Sequence, residues 1–151
     1  MRSIEKYGKN TLLFLNVLLC LVFMTAACAV NNVSEEEKIL EMYAQSIQAF
    51  TREDLHGVMK NISRDFRSSV DNQKNYDEVQ EYRKLFIRKN SNVSVDFRDI
   101  NIEVNKSKAI VKLKVYVRTD QVEDSWAEID TLSKRWGKWE IVSWNKYLIG
   151  Y

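Results

Sequence analysis

The sequence contains one histidine, two cysteines and four glycines among its 151 residues, and each scarcity removes a class of chemistry. No histidine or cysteine cluster has the spacing of a metal site. The glycines form neither a phosphate-binding loop nor the turn that carries a nucleophilic serine in hydrolases. A Ser–His–Asp triad would have to use His56, which we expect at the surface of a short helix. We therefore expect no metal and no cofactor.

Charge of one sign is also lacking once the first 27 residues are set aside. The chain has 23 Lys and Arg against 21 Asp and Glu; Arg2, Lys6, Lys9 and Glu5 lie in that first stretch, so the remainder carries 20 of each sign. A neutral domain with interspersed charges has no net attraction for nucleic acid or for an anionic membrane face. We expect no nucleic-acid partner, and attachment to a membrane would have to come from lipid.

The N-terminal segment has the pattern of an export signal. Residues 1–9 are basic, residues 11–27 are apolar or small, and the run ends at Cys28. This segment resembles the signal of bacterial lipoproteins, whose cleavage site is also the lipid attachment site. The resemblance implies cleavage before Cys28, lipid on its sulfur and a mature protein held at the membrane of the cell envelope. Ala29 after the cysteine implies the periplasmic side of the outer membrane, where the host has one.

Two other fates of this segment stay open. Ala27 and Ala29 also form an A-x-A site, at which ordinary signal cleavage would release the protein. Alternatively, residues 11–30 stay uncut as a transmembrane anchor, since about 20 apolar residues can cross a hydrocarbon core. The cysteines favour the lipoprotein interpretation. Cys20 lies inside the apolar run, so cleavage leaves Cys28 as a lone thiol without a disulfide partner.

The predicted division of the chain is a signal peptide at 1–27, the lipidated cysteine and a spacer at 28–34, and one domain at 35–151. Ser34 and Glu37 form a capping box that begins a helix. Asn75 and Glu78 repeat that pattern after a polar loop at 67–75. Three helices are predicted from apolar spacing of three and four residues. Their apolar faces are Ile39, Leu40, Tyr43, Ala44, Ile47 and Phe50; then Leu55, Val58, Met59 and Ile62; then Tyr76, Val79, Tyr82, Phe86 and Ile87, with Arg83 beside them.

From Val93 onward the apolar period changes to two, which is typical of strands. The parity reverses near Arg98 and Asp99, so the first strand should contain a bulge or bend. Turns at 105–108 and 135–138 flank three further strands, predicted at 109–117, 125–134 and 139–148. Short connections favour an antiparallel arrangement. The predicted fold class is α+β, with three N-terminal helices packed on a curved, mainly antiparallel sheet of four or more strands.

This order of elements resembles a known superfamily. Residues 36–50, the acidic-leucine segment 52–55 and the segment Arg-Trp-Gly-Lys-Trp-Glu-Ile-Val at 135–142 are similar to the nuclear transport factor 2-like proteins, particularly their SnoaL-like branches. The resemblance implies the cystatin-like fold, in which the sheet wraps around the helices to form a cone. It further implies that the cone holds a small molecule and that the domain forms a homodimer through its sheet.

Two groups of residues are candidates for a site within such a cone. Asp130 and Glu128 lie two apart on a predicted strand, so both can project inward, where a carboxylate with a raised pKa acts as a general base. The opposite face, with Ala127 and Ile129, is an equally good core face and would turn both acids to solvent. Aromatic side chains fill the gap between helices and sheet, or else line a pocket for an apolar ligand. The predicted pocket residues are Tyr43, Tyr82, Phe86, Tyr116 and Trp126.

Three functions follow from these observations. The leading one is a lipid-anchored envelope domain that binds a small apolar ligand or a partner protein, without catalysis. The second is a small enzyme of the SnoaL-like isomerase or dehydratase kind that uses a pocket carboxylate, with Asp130 as the catalytic candidate. The third is a structural subunit of an envelope complex that keeps its N-terminal segment as a transmembrane anchor.

Overall fold

The structure is a computed structural model, and it describes residues 33–68 and 74–147. In these residues three helices precede four strands. The helices are α1 (Glu35–Thr51), α2 (Leu55–Met59) and α3 (Tyr76–Lys89), and the strands are β1 (Ser94–Asn105), β2 (Lys108–Arg118), β3 (Glu123–Arg135) and β4 (Lys138–Tyr147). The strands form one antiparallel sheet in the order β1-β2-β3-β4. The predicted α+β class and the antiparallel arrangement are therefore confirmed for this part of the chain.

Several predictions lie outside the described residues. These are the signal peptide, lipidation at Cys28, most of the spacer, the centre of the loop at 67–75 and the end of the last strand beyond Tyr147. Within residues 33–68 and 74–147, no helix combines the length and apolar character needed to cross a membrane.

Both predicted capping boxes are present. Ser34 Oγ accepts a hydrogen bond from the Glu37 amide at 3.1 Å, and Glu37 Oε2 accepts one from the Ser34 amide at 2.8 Å. Asn75 and Glu78 exchange the same pair of bonds, at 3.1 and 2.8 Å. Each box satisfies amides that the first turn of a helix leaves without partners. The beginnings of α1 and α3 are thus determined by residues within four positions of each other.

The buried face of α1 differs from the prediction. Ile39 and Tyr43 are buried as expected, but Leu40 is 42% exposed and Ala44 is also exposed. Met42 and Ala49 are buried instead, because α1 packs against α2, β1 and β4 on that side. Two apolar stripes overlap on this helix, and only the tertiary contacts select between them.

The short helix α2 approaches α1 closely. It begins after Asp54, whose Oδ1 accepts a hydrogen bond from the Gly57 amide at 3.0 Å. A Cβ atom on Gly57 would lie 2.8 Å from the Cβ atom of Ala49 on α1. Glycine here permits the contact between the two helices, although it weakens a helix intrinsically. The apolar residues Val58, Met59 and Ile62 that follow are buried, as predicted.

The strand pattern agrees closely with the prediction. The β1–β2 register shifts between Arg98 and Asn101, and Asp99 has a φ of 51°, so the predicted bend is a β-bulge. The β3–β4 connection is a tight turn in which Trp136 and Gly137 both have positive φ, 52° and 79°. On β2 every second residue is buried against the helices: Ala109, Val111, Leu113, Val115 and Val117.

Candidate functional site

A cavity of about 740 Å³ lies between α3 and the face of the sheet that packs on the helices. Most of the residues that line the cavity are apolar. Six of these lining residues are aromatic: Phe50, Tyr82, Phe86, Phe97, Trp126 and Trp144. Five more are aliphatic: Val79, Val95, Val115, Val117 and Val122. The polar lining residues are Lys74, Arg83, Asn90, Asp124, Glu128 and Lys146. Such a volume with mostly apolar walls is typical of a site for a small organic molecule.

The strands bring these residues to one end of the sheet. β1 and β3 contribute from their first halves, and β2 and β4 from their last halves, because neighbouring strands run in opposite directions. At the mouth, Lys146 Nζ lies 3.8 Å from the centroid of the Trp126 ring and 3.7 Å from Asp124 Oδ2. The charges at this rim therefore pair with one another and with an aromatic face.

Polar side chains extend from the cavity wall, at Glu128, into the core, at Asp130 and Tyr43. Glu128 lines the cavity, and its Oε2 accepts a hydrogen bond from Trp126 Nε1 at 2.8 Å. Asp130, two positions further along the same face of β3, is fully buried behind it and does not line the cavity. Asp130 Oδ2 accepts a hydrogen bond from the Tyr43 hydroxyl at 2.5 Å. Asp130 Oδ1 has no hydrogen-bond partner among the described residues.

Burial and the neighbouring charge decide the protonation of this acid. Burial raises the pKa of Asp130 well above its usual value, and the negative charge of Glu128 raises it further, while the Tyr43 hydrogen bond and Arg83 oppose the shift. A neutral Asp130 would also donate a hydrogen bond to the neighbouring Glu128 carboxylate, which raises the pKa of Asp130 further. Burial and the charge of Glu128 therefore favour the neutral form of Asp130. Burial and the adjacent Asp130 likewise raise the pKa of Tyr43.

Arg83 supplies a positive charge that opposes the raised pKa of Asp130. Its Nη1 donates a hydrogen bond of 2.8 Å to the Val58 carbonyl, and its guanidinium lies 5.1 Å from the centroid of the Trp144 ring. Burial of the guanidinium lowers the pKa of Arg83 to about 10, although the residue as a whole keeps partial exposure. At neutral pH Arg83 stays charged and partly balances Glu128.

The structure brings together three of the five predicted pocket residues. Tyr82, Phe86 and Trp126 line the cavity. Tyr43 lies behind the wall, where its ring packs edge-on against Phe97 at a centroid distance of 5.3 Å. The binding of a ligand by these residues stays a prediction.

Tyr116 requires a correction, because it does not line the cavity. On β2 the inward residues are Val115 and Val117, so the intervening side chain points to the other face of the sheet, where the Arg98 guanidinium lies 4.5 Å from its ring centroid. Strand alternation alone contains this signal. The same alternation identifies Phe97, which shares its face of β1 with Val95, as a cavity residue that the sequence analysis did not assign to the pocket. Trp144 also lines the cavity, but it does so because the β3–β4 register shifts between Thr131 and Leu132.

The remaining candidates have simple placements. The face of β3 with Asp130 and Leu132 is buried against the helices, so the alternative in which Ala127 and Ile129 form the core face is wrong. His56 is exposed on α2, as expected. Among residues 33–68 and 74–147, no group of three or more His, Cys, Asp or Glu has the arrangement of a metal site.

No protein-family model matches this sequence, and no curated protein sequence matches it either. Several solved structures, in contrast, superimpose on the structure of this chain. Bd1075 of Bdellovibrio bacteriovorus superimposes with a TM-score of 0.68 and 15% identity, covering 78% of this chain. A protein with a cystatin-like fold from Nostoc punctiforme superimposes with a TM-score of 0.62 and 15% identity. This match covers 74% of this chain and 89% of the Nostoc protein. A candidate dehydratase of the nuclear transport factor 2-like family from Streptomyces avermitilis superimposes with a TM-score of 0.65 and 10% identity. This match covers 78% of this chain and 98% of the Streptomyces protein.

These similarities establish the fold and nothing finer. The described domain has the cystatin-like fold of the nuclear transport factor 2-like proteins, as the sequence resemblance predicted. The chain spans only 44% of the length of the Bdellovibrio protein, whereas it matches nearly the whole of the other two. At 10–15% identity the chemistry of the site has to be argued from the residues of this chain.

Proposed function

We propose that this protein is a lipid-anchored domain of the cell envelope that binds a small, largely apolar molecule in the cavity between α3 and the sheet. The observation that carries the binding function is the cavity itself. About 740 Å³ lies between aromatic walls that do not close on one another. The anchoring follows from the signal that ends at Cys28, and Ala29 favours the periplasmic face of the outer membrane.

The walls also indicate the chemistry of the ligand. Flat aromatic surfaces such as Phe86 and Trp126 suit a ring system. The Glu128 carboxylate is an acceptor in this lining, and the hydrogen bond from Trp126 orients it. A ligand with an apolar ring and one hydroxyl or amino group would satisfy both features, since that group can donate a hydrogen bond to Glu128.

A thermal-shift screen of apolar metabolites tests this proposal. A ligand present at 100 times its dissociation constant stabilises a protein by about 2.7 kcal/mol, enough to raise the melting temperature by several degrees. We expect Trp126→Ala and Glu128→Gln to weaken the shift, and Tyr116→Ala, on the other face of the sheet, to leave it unchanged. A panel without hits, or hits that the two cavity variants bind as well as the parent chain, would count against ligand binding here.

A second candidate function is proton transfer by a small isomerase or dehydratase. The observation that favours it is the pairing of Glu128, at the cavity wall, with the neutral acid Asp130 behind it. Glu128 would remove a proton from a carbon of the bound molecule, and Asp130, hydrogen-bonded to Glu128, would hold that carboxylate in place. For any ligand found, exchange of its C–H protons in D₂O tests this reaction. Glu128→Gln should reduce the exchange rate at least 100-fold, since general-base catalysis is worth about that much.

Mass spectrometry of the protein from membranes separates the anchoring alternatives. A mature chain that begins at a lipid-modified Cys28 supports the proposal. An intact Met1 indicates the uncleaved anchor of an envelope complex, and an unmodified N-terminus near Ala29 indicates release. Co-purification of a stoichiometric protein in place of a small molecule would favour a partner-binding function for the same domain.

A further inference from the structure

The cavity and the beginning of the domain lie at opposite ends of the sheet. Glu35, the first residue of α1, pairs with Lys134 Nζ at 2.7 Å and accepts a hydrogen bond from Trp139 Nε1 at 2.8 Å. α1 therefore begins beside the β3–β4 turn. The cavity is lined by the other ends of the same strands, including Asp124 and Lys146. The 13-residue strand β3 separates the two ends by roughly 40 Å along its path.

The end near Glu35 has an unusual surface, which we call the anchor-end surface: Lys106, Lys108, Trp136 and Lys138. Trp136 is 101% exposed at the tip of the β3–β4 turn. The β1–β2 turn lies beside it, since the Lys134 amide donates a hydrogen bond to the Ser107 carbonyl at 2.7 Å. The lysines of this surface are exposed and form no ion pair with any described residue.

Two of the acidic groups at this end form ion pairs. Glu35 is bound by Lys134 and Lys38, and Asp65 pairs with Arg135 at 2.6 Å. Glu36, Glu37 and Glu140 are the remaining carboxylates near these elements, and Glu37 accepts a hydrogen bond from the Ser34 amide. The two turns at this end thus carry three lysines that form no ion pair among the described residues, together with one bare indole. Only the fold brings these residues together, because the two turns lie far apart in the sequence.

The predicted tether is too short to let this end leave a membrane. Cys28 is six residues before Ser34, the N-cap of α1. A fully extended chain covers at most about 3.5 Å per residue, so a lipid on Cys28 would hold Ser34 within about 20 Å of the bilayer. With such a tether, the end of the sheet beside Ser34 would be the end nearest to the lipid headgroups.

We propose that the anchor-end surface rests on anionic lipid headgroups, with Trp136 at the membrane interface and the cavity mouth turned away from the bilayer. This proposal rests on the lipid anchor of the proposed function but not on ligand binding. Tryptophan prefers the interface, and lysines near it are attracted by anionic lipids. In this orientation the ligand enters from the aqueous side and not from the supporting membrane.

Site-directed labelling of the full, lipidated chain tests the orientation. Lipidation consumes the Cys28 thiol and cleavage removes Cys20, so one introduced cysteine takes a fluorescent label selectively. Lys138→Cys reports on the anchor end, and Val122→Cys, in the turn at the cavity mouth, is the matched control. Vesicles of phosphatidylethanolamine and phosphatidylglycerol would carry bromine on their acyl chains as the quencher. We expect quenching at position 138 to exceed that at position 122 severalfold, and Trp136→Ser to reduce the quenching at 138.

Each contrary outcome has a distinct meaning. Equal quenching at both positions, in protein that floats with the vesicles, overturns the orientation while leaving the anchor intact. Protein that does not float with the vesicles lacks the anchor and overturns both. A label at 138 that is shielded from aqueous iodide but not quenched by bromolipid shows a protein partner or a second copy on this surface, which also overturns the proposal.

Discussion

The Tyr43 hydroxyl on α1 donates a hydrogen bond of 2.5 Å to Asp130 on β3, 87 positions later in the chain. This bond joins the first helix to the third strand at the base of the cavity. It also orients Asp130, whose pKa is raised partly by Glu128, the carboxylate of the cavity wall. Stability and site chemistry therefore depend on the same three residues.

Tyr43→Phe should destabilise the protein by roughly 1–3 kcal/mol, because it leaves a buried carboxyl oxygen without its hydrogen-bond donor. Urea unfolding followed by circular dichroism measures the change. Tyr82→Phe is the control, since Tyr82 is 58% exposed and its hydroxyl has no protein hydrogen bond among the described residues. Equal effects of the two substitutions would show that the Tyr43–Asp130 bond contributes little.

Asp130→Asn should make stability less sensitive to pH. The pKa of Asp130 is raised by folding, so the native state binds a proton that the unfolded chain releases above its ordinary value near 3.8. That contribution is complete below pH 3.8 and is lost as pH rises toward the folded pKa. Asparagine keeps an acceptor for Tyr43 and a donor for Glu128 without titrating. Melting temperatures between pH 4 and 8 should therefore decline less in the variant, and a parallel decline in both proteins would contradict the assignment of a neutral Asp130.

Val122→Trp should block the cavity without unfolding the protein. Val122 lines the mouth and is 47% exposed, so a larger side chain there can cover the opening without overpacking the core. We expect at least a tenfold loss of affinity for any ligand found in the screen, measured by calorimetric titration. Ile110→Trp is the matched control, because Ile110 is 42% exposed and does not line the cavity. Unchanged binding in Val122→Trp would place the ligand elsewhere.

Glu35→Gln should make the free energy of unfolding depend less on pH between about 2 and 4.5. Hydrogen bonds from Lys134 and Lys38 lower the pKa of Glu35 to about 2 from 4.5. The stability that Glu35 contributes through these two lysines is present above pH 4.5 and is lost as pH falls through about 2. The parent chain and the variant should therefore differ at pH 6 and converge near pH 2 in urea unfolding. Glu36→Gln, the adjacent exposed position, should follow the parent chain; a difference that persists to pH 2 would contradict the mechanism.

Much of the domain could be predicted because its signals are local. Both capping boxes join residues three positions apart, and the bulge near Asp99 follows from a change of apolar parity within one strand. The inward face of β2 was predicted residue by residue. The same alternation excludes Tyr116 from the cavity and includes Phe97.

The sequence by itself determined where helices and strands begin and which strand positions share a face, since capping and alternation depend on neighbours a few residues apart. Only the tertiary structure decided which face of β3 meets the helices, which stripe of α1 is buried, and that Trp136 and the unpaired lysines lie at the end opposite the cavity. Each of these depends on contacts between elements tens of residues apart, such as Tyr43 with Asp130 and Glu35 with Trp139. No local pattern encodes such distances, because the burial of a side chain is settled by whichever distant segment packs against it.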